Sequence, residues 1–340
     1  MSMIAEVEAA LKAPFGTVFG DKMVVTRYRD GAWQPFELCP YGPLSLDPAT
    51  HALHYGSTCF EGIKAHRWEN GSLHVFRLRD HVERMRQSAK LLCLPVPEAD
   101  LLFQMVMTAV DACRDWAPPS PGALYIRPTL IGTLRSIGAA AGRSPEACLY
   151  VILSPVGDYF RGGLRPLKLL IEESIMRTAP DFGMAKTGGN YASALRVILK
   201  ARTELGVDQV LFCPNGDVQE TGAANFVLIN NHEILTKSLD PSFLHGITRN
   251  SILTLAKTLG YHVAERDFTI GELLEWCRHG EAALSGTAAV LAGVGGLYYR
   301  DAYYDVGDGG FGPNTKRLRD ALLDIQKGRA DDPHHWLSQV

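Results

Sequence analysis

No CxxC pair occurs in this 340-residue chain, and its seven cysteines, Cys39, Cys59, Cys93, Cys113, Cys148, Cys213 and Cys277, are scattered and odd in number. Neither a disulfide framework nor a metal site is expected; buried free thiols in a reducing cytoplasm are. No apolar run approaches membrane-spanning length, so no membrane contact is expected. The opening MSMIAEVEAALKAPFG mixes acids with apolar residues and lacks the basic-then-apolar layout of a signal peptide. A formal net charge of -3 carries no basic excess, which removes the electrostatic case for nucleic acid. Internal repeats and low-complexity tracts are absent as well. What is present, 46% hydrophobic and 21% charged residues, is ordinary globular composition. The length exceeds what one hydrophobic core usually organises, so two domains are expected.

The element order reads as α+β in both halves rather than as regular βαβ alternation. Val82, Met85, Ala89 and Leu92 recur at helical spacing. Asp100 is expected to cap the next helix, which continues through Leu101, Met105, Thr108 and Ala109. GALYIRPTLIG and ACLYVILSP read as strands, rich in β-branched and aromatic residues. Two prolines and three glycines in residues 154–166 read as a linker between a domain of residues 1–153 and one of 167–340. Beyond it come a strand LKLLIEES and a helix YASALRVILKARTELG. An Asn215-Gly216 turn is expected to join DQVLFCP and NFVLIN as a hairpin. Ile252, Leu255, Ala256 and Leu259 mark an amphipathic helix, and a last helix is expected near Thr315–Gln326.

Several residues stand out chemically. Lys186 precedes Gly188-Gly189, where backbone without side chains can come close to a flat ligand. Glu220 enters an otherwise small and apolar segment, and a buried acid needs a cation or a protonated heterocycle. Two segments could cradle a phosphate: Gly246, Ile247 and Thr248, opening a helix, and the tight turn at Gly286 and Thr287. Arg84 is a basic residue on the predicted helix, either functional or a surface arginine. Period two puts Tyr125 and Arg127 on one strand face, a candidate carboxylate reader or a structural pair. Amine, acid, anion cradle and carboxylate reader are what a pyridoxal phosphate site requires: the acid keeps the ring nitrogen protonated, so the ring accepts electrons from the carbanion.

The ordered motifs FRLxxHxxRxxxSA, YIRP, PVGxYFxGG, AKxGGNY, ExGxxNxF, GIT-R and SGTAA resemble the class IV aminotransferases, specifically the branched-chain amino acid group, from about Tyr41 to the DPHHW near the C-terminus. The resemblance implies a two-domain fold type IV pyridoxal-phosphate enzyme, with a small N-terminal α/β domain and a larger C-terminal domain holding a mixed, β-barrel-like sheet. It implies pyridoxal 5'-phosphate as cofactor and a ping-pong exchange of nitrogen between leucine, isoleucine or valine and 2-oxoglutarate. Lys186 would be the Schiff-base lysine and the acid/base of the 1,3-proton shift. Glu220 would pair with the pyridine nitrogen, Tyr191 with the phenolic oxygen, and Asn225 would support Glu220 or the cofactor. Arg84, the backbones of Ile247 and Thr248, Gly286 and Thr287 would hold the phosphate. The substrate's α-carboxylate would meet the Thr287-Ala288 turn and Tyr55. Arg127, with Tyr125 alongside, would read the distal carboxylate of glutamate. Phe60, Ala223 and Tyr159 would touch aliphatic side chains. The Ile137–Ala139 loop would reach a partner's pocket, making the working unit a homodimer.

Three loops depart from the pattern: TAPDFGM around Phe182 in place of a glycine-rich run, His245 between Leu244 and Gly246, and Ala292-Gly293-Val294 after SGTAA. A D-amino acid aminotransferase, an aminodeoxychorismate lyase or a specialised aminotransferase would retain the same lysine and acid; YIRP and PVGDYFRGG favour the branched-chain group.

Overall fold

The computed structural model describes residues 3–157 and 164–340. They form two compact units, the first of residues 3–157 with 185–188 and 326–340, the second of residues 164–184 and 189–325. The division expected at residues 154–166 therefore misses two crossings. The segment carrying Lys186 and the C-terminal tail both belong to the first unit.

In the first unit the elements run α1 (Met3–Lys12), β1 (Lys22–Arg29), β2 (Ala32–Trp33), β3 (Glu37–Pro40), α2 (His51–Tyr55), β4 (Thr58–Phe60), β5 (Ile63–Arg67), β6 (Leu73–Phe76), α3 (Leu78–Leu91), α4 (Ala99–Ala112), β7 (Ala123–Gly132) and β8 (Ala147–Val156). These eight strands and the C-terminal strand Leu337–Gln339 form one sheet among the described residues, with β7 paired to β8 along its whole length. Alternation along β7 decides its two faces. Leu124, Ile126 and Leu130 are fully buried, whereas Tyr125, Arg127 and Thr129 are half-buried on the other side. The buried face shares one core with Val82, Met85 and Ala89 of α3 and with Leu102, Met105 and Val106 of α4. The helices thus cover one face and leave Tyr125 and Arg127 on the opposite one. Asp100 does not cap α4: Glu98 holds that position without a side-chain bond, and Asp100 lies in the first turn, where its charge suits the helix dipole. Ser154, Pro155 and Val156 are not linker but the end of β8, paired with Tyr125, Leu124 and Ala123. A proline removes only one donor from a ladder that is otherwise complete.

The second unit contains β9 (Leu167–Glu172), α5 (Gly188–Leu205), β10 (Gln209–Phe212), β11 (Asn225–Ile229), β12 (Glu233–Thr236), α6 (Ile247–Thr258), β13 (His262–Glu265), α7 (Ile270–Trp276), β14 (Glu281–Gly286), β15 (Val290–Tyr299), β16 (Ala302–Asp305) and α8 (Pro313–Gln326). Its strands make one mixed sheet in the order β10-β9-β15-β14-β11-β12-β13, with β16 beside β15. The expected hairpin is wrong in its partner. Asn215 and Gly216 do turn the chain, both in the left-handed region. The returning segment is residues 219–221, tied to Phe212 and Leu211, while β11 pairs with β12 and β14. The turn residues specify a reversal but not its length. The segment returning from that turn contains Glu220.

Candidate active site

In the first unit the backbone of Lys186 is clamped on both sides. Its N–H donates to Ser88 Oγ at 3.0 Å, and its carbonyl accepts from Phe60 N at 3.1 Å. Thr187 Oγ1 donates to Thr58 O at 2.7 Å. The half-buried side chain places Nζ 5.2 Å from the Phe60 ring centre. A Cβ at Gly188 would make only ordinary contact and one at Gly189 would meet nothing, so the chain's own packing does not demand either glycine.

Beside this clamp lies a buried charge cluster that the sequence reading did not find. Glu61, fully buried in the β4–β5 connection, accepts from Arg84 Nε at 2.7 Å, Arg84 Nη2 at 2.8 Å and His81 Nδ1 at 2.7 Å. Burial alone would raise the Glu61 carboxyl, but the Arg84 guanidinium and the His81 ring outweigh it and hold it well below the usual carboxylate range. Burial pushes the His81 ring below its ordinary value, against the pull of Glu61. His81 is therefore a neutral donor through Nδ1–H, and Arg84 is the paired cation. The signal was present in sequence: His81, Arg84 and Ser88 stand at helical spacing on α3.

On the exposed face of β7, Arg127 Nη2 donates to Tyr125 Oη at 3.1 Å, and the guanidinium lies 4.7 Å from the Phe60 ring centre and 5.3 Å from that of Tyr125. Its buried Nε has no hydrogen-bond partner among the described residues. Gly62 admits this arrangement, since a Cβ there would stand 2.0 Å from Tyr125 Oη. Phe15, Phe19, Tyr125, Arg127 and Ile152 line a cavity of about 330 Å³, with Phe15 edge-on to Tyr125 at 4.9 Å. The N-terminal segment was not expected here. Tyr55 donates its hydroxyl to Ile137 O, and His51 Nε2 lies 3.3 Å from Ala139 O, so the Ile137–Ala139 loop is tied to α2 of its own chain.

In the second unit Glu220 is buried and accepts from Asn225 Nδ2 at 2.9 Å and Leu244 N at 3.0 Å. The cation that its burial called for is Arg177, whose Nη2 lies 2.6 Å from Oε1. Sequence reasoning missed Arg177, because nothing in RTAP marks which acid it meets. Asn225 supports Glu220, one of its two expected roles. Tyr191 is half-buried on the first turn of α5. Ile247 and Thr248 open α6 after Gly246, whose lack of a side chain leaves no cap from that position, and a helix start of this kind favours an anion through its dipole. A Cβ at Gly246 would come within 1.9 Å of Asn225 Oδ1. Residues 287–289 make the turn from β14 to β15, which ends on Val290 at φ 65, a strained conformation for a β-branched residue. Gly286, Thr287 and Ala288 are half-buried there, and Ala223 is exposed. His245 Nε2 lies 2.9 Å from Asp240 O, Gly293 faces the Phe311 ring, and Phe182 O accepts from Asn190 Nδ2, so the three departing loops are locally packed. Tyr159 lies outside the described residues.

Residues 58–295 match the family model described as amino-transferase class IV. The chain belongs to the class IV aminotransferases. It is 38% identical over 335 residues to branched-chain-amino-acid aminotransferase 2 of Bacillus subtilis, covering 96% of this chain and 92% of that one. A probable branched-chain-amino-acid aminotransferase of Streptomyces coelicolor is 38% identical over 98% of this chain and 94% of its own. Among solved structures, a branched-chain amino acid aminotransferase of T.th. with pyridoxamine 5'-phosphate superposes with a TM-score of 0.77 at 27% identity, covering 93% of this chain and 97% of that one. The Escherichia coli branched-chain amino acid aminotransferase gives 0.74 at 28%, over 94% and 98%. This membership confirms the α+β, fold type IV expectation and the family resemblance. The residues fit the family's cofactor: a helix start with glycine at the N-cap suits a phosphate, and a buried, hydrogen-bonded carboxylate suits a protonated pyridine.

Proposed function

We propose that the chain is a branched-chain amino acid aminotransferase that uses pyridoxal 5'-phosphate and exchanges nitrogen between leucine, isoleucine or valine and 2-oxoglutarate. Arg127 carries this reading. Its guanidinium stands among the rings of Phe60 and Tyr125, with a buried Nε awaiting a partner, in a cavity walled by Phe15, Phe19 and Ile152. Apolar walls suit an aliphatic side chain, and one arginine lets the same space accept a second carboxylate.

When bound, the cofactor stores the amino group and spreads the electron pair left at the substrate's Cα. The chain supplies the rest. Lys186 Nζ, its backbone clamped by Ser88 and Phe60, takes and returns the Cα proton. Glu220 holds the pyridine nitrogen's proton, with Asn225 fixing its carboxylate. Arg84, Ile247, Thr248, Gly286 and Thr287 bind phosphate, Tyr191 the phenolic oxygen, and Tyr55 with the Thr287-Ala288 turn the α-carboxylate. Phe60, Tyr125 and Ala223 are the residues that would touch the substrate's aliphatic side chain. A homodimer is the working unit: Ile137, 73% exposed on its loop, is an apolar group suited to a partner. No helix among the described residues is long and apolar enough to cross a membrane. Seven free cysteines support a cytoplasmic setting.

A visible spectrum of the purified protein tests the reading. The bound cofactor's yellow band is expected to bleach with L-leucine and to persist with D-alanine. Bleaching by D-alanine, or by neither, overturns the substrate assignment. Lys186→Ala is expected to lose the band and turnover together, and retention of both would remove the lysine from its role.

A further inference from the structure

We propose that Glu61 is a positioning residue: with His81 it fixes the Arg84 guanidinium in the orientation that receives the phosphate of the cofactor. The inference rests on the reading that Arg84 binds that phosphate. Three parts of the first unit converge on Glu61. Its backbone N–H donates to Pro128 O of β7 at 3.0 Å, its Oε2 accepts from Gly62 N at 3.2 Å, and α3 brings His81 and Arg84 to its two oxygens. A bidentate grip on Nε and Nη2 fixes the plane of a guanidinium and turns its Nη1 edge away from the acid. Neutral His81 in turn fixes the plane of the carboxylate. The side chain of Arg84 remains 12% exposed while Glu61 has no exposure, so the pair is buried on the Glu61 side.

Charge and orientation make opposite predictions. A carboxylate beside Arg84 reduces the attraction of that arginine for a phosphate. If Glu61 acted through charge alone, Glu61→Gln, which keeps the shape and removes the charge, would tighten phosphate binding. If Glu61 positions the fork, the same change loosens it, because the amide offers one acceptor oxygen where two were used.

The experiment measures apoenzyme dissociation constants for pyridoxal phosphate and for pyridoxal, which lacks the phosphate, by absorbance titration. Glu61→Gln is expected to weaken pyridoxal phosphate binding on the order of tenfold and to leave pyridoxal within about twofold. His81→Leu is expected to give a smaller shift of the same sign, and His81→Asn, which keeps a donor, to restore part of it. Equal weakening of both ligands, or tighter binding of pyridoxal phosphate, overturns the proposal. Arg84→Gln separates the two layers. If it leaves the preference for the phosphorylated ligand unchanged, the phosphate reading itself fails. If Arg84→Gln abolishes the preference and Glu61→Gln retains it, only the positioning role fails. Should Glu61→Gln not fold, the His81 pair decides by the same ratio.

Discussion

At the scale of single residues, two arginines, Arg177 buried and Arg127 half-buried, differ in what they lack. Arg177 has its counter-charge in Glu220, and removing one member of a buried pair leaves an uncompensated charge. Arg177→Met is expected to destabilise the second unit by about 3–5 kcal/mol. Denaturant unfolding measures this, and a loss within experimental error would show that Asn225 and the Leu244 N–H suffice for Glu220. Arg127 has a phenol and two rings but no acid among its close contacts within the first unit. Arg127→Ala is accordingly expected to raise KM for glutamate and 2-oxoglutarate by about 10–100-fold. The KM for leucine should change little, and equal losses would reject the distal-carboxylate role.

At the scale of elements, α6 shows how one glycine joins a helix start to a carboxylate. Gly246 is its N-cap, and Asn225 Oδ1 occupies the space that a side chain would need. Asn225 also donates to Glu220 Oε2 and to Leu244 O. Gly246→Ala is expected to displace Asn225 and to weaken pyridoxal phosphate binding at least as much as Asn225→Ala does, by about 1–3 kcal/mol for the lost buried bonds; wild-type affinity in a titration would contradict it. Both sides of this contact were legible in sequence, as GIT-R and ExGxxNxF, but their meeting was not. Local periodicity and turn chemistry give α3, α6, β7 and β8 because those signals act over a few residues. The fate of the chain after Asn215-Gly216 depends on which strand pairs with β11, and that pairing is long-range. Arg177 and Glu61 escaped for the same reason: each is defined by a partner at least twenty residues away. His81, Arg84 and Ser88 could have been read from their spacing as one face, though the acid they share could not.

At the scale of the molecule, the first unit carries a pH dependence that its active residues do not require. His66, buried in β5 with neither ring nitrogen partnered among the described residues, is pushed down to about 3 by burial and by Lys64 and Lys327. The His81 ring is also held below its ordinary value, by burial first. Both therefore stay neutral in the fold where the unfolded chain, with ordinary histidines near pH 6.5, takes up protons. The unfolded state binds more protons below that point, so stability is complete above about pH 6.5 and falls as pH falls towards the folded values. Glu61, depressed in the fold, adds to the loss only below the ordinary carboxylate range. Between about pH 7 and 5.5 His66 should remove about 1 kcal/mol from the first unit, and His81 and His74, both also lowered by burial first, act in the same direction. His66→Leu keeps the volume and removes one titration, so urea unfolding of this variant should show a clearly smaller pH dependence than the wild type over that interval. An unchanged slope would mean that His66 is protonated inside the fold, in which case a positive ring would sit between Lys64 and Lys327 and an unseen anion would have to balance the three.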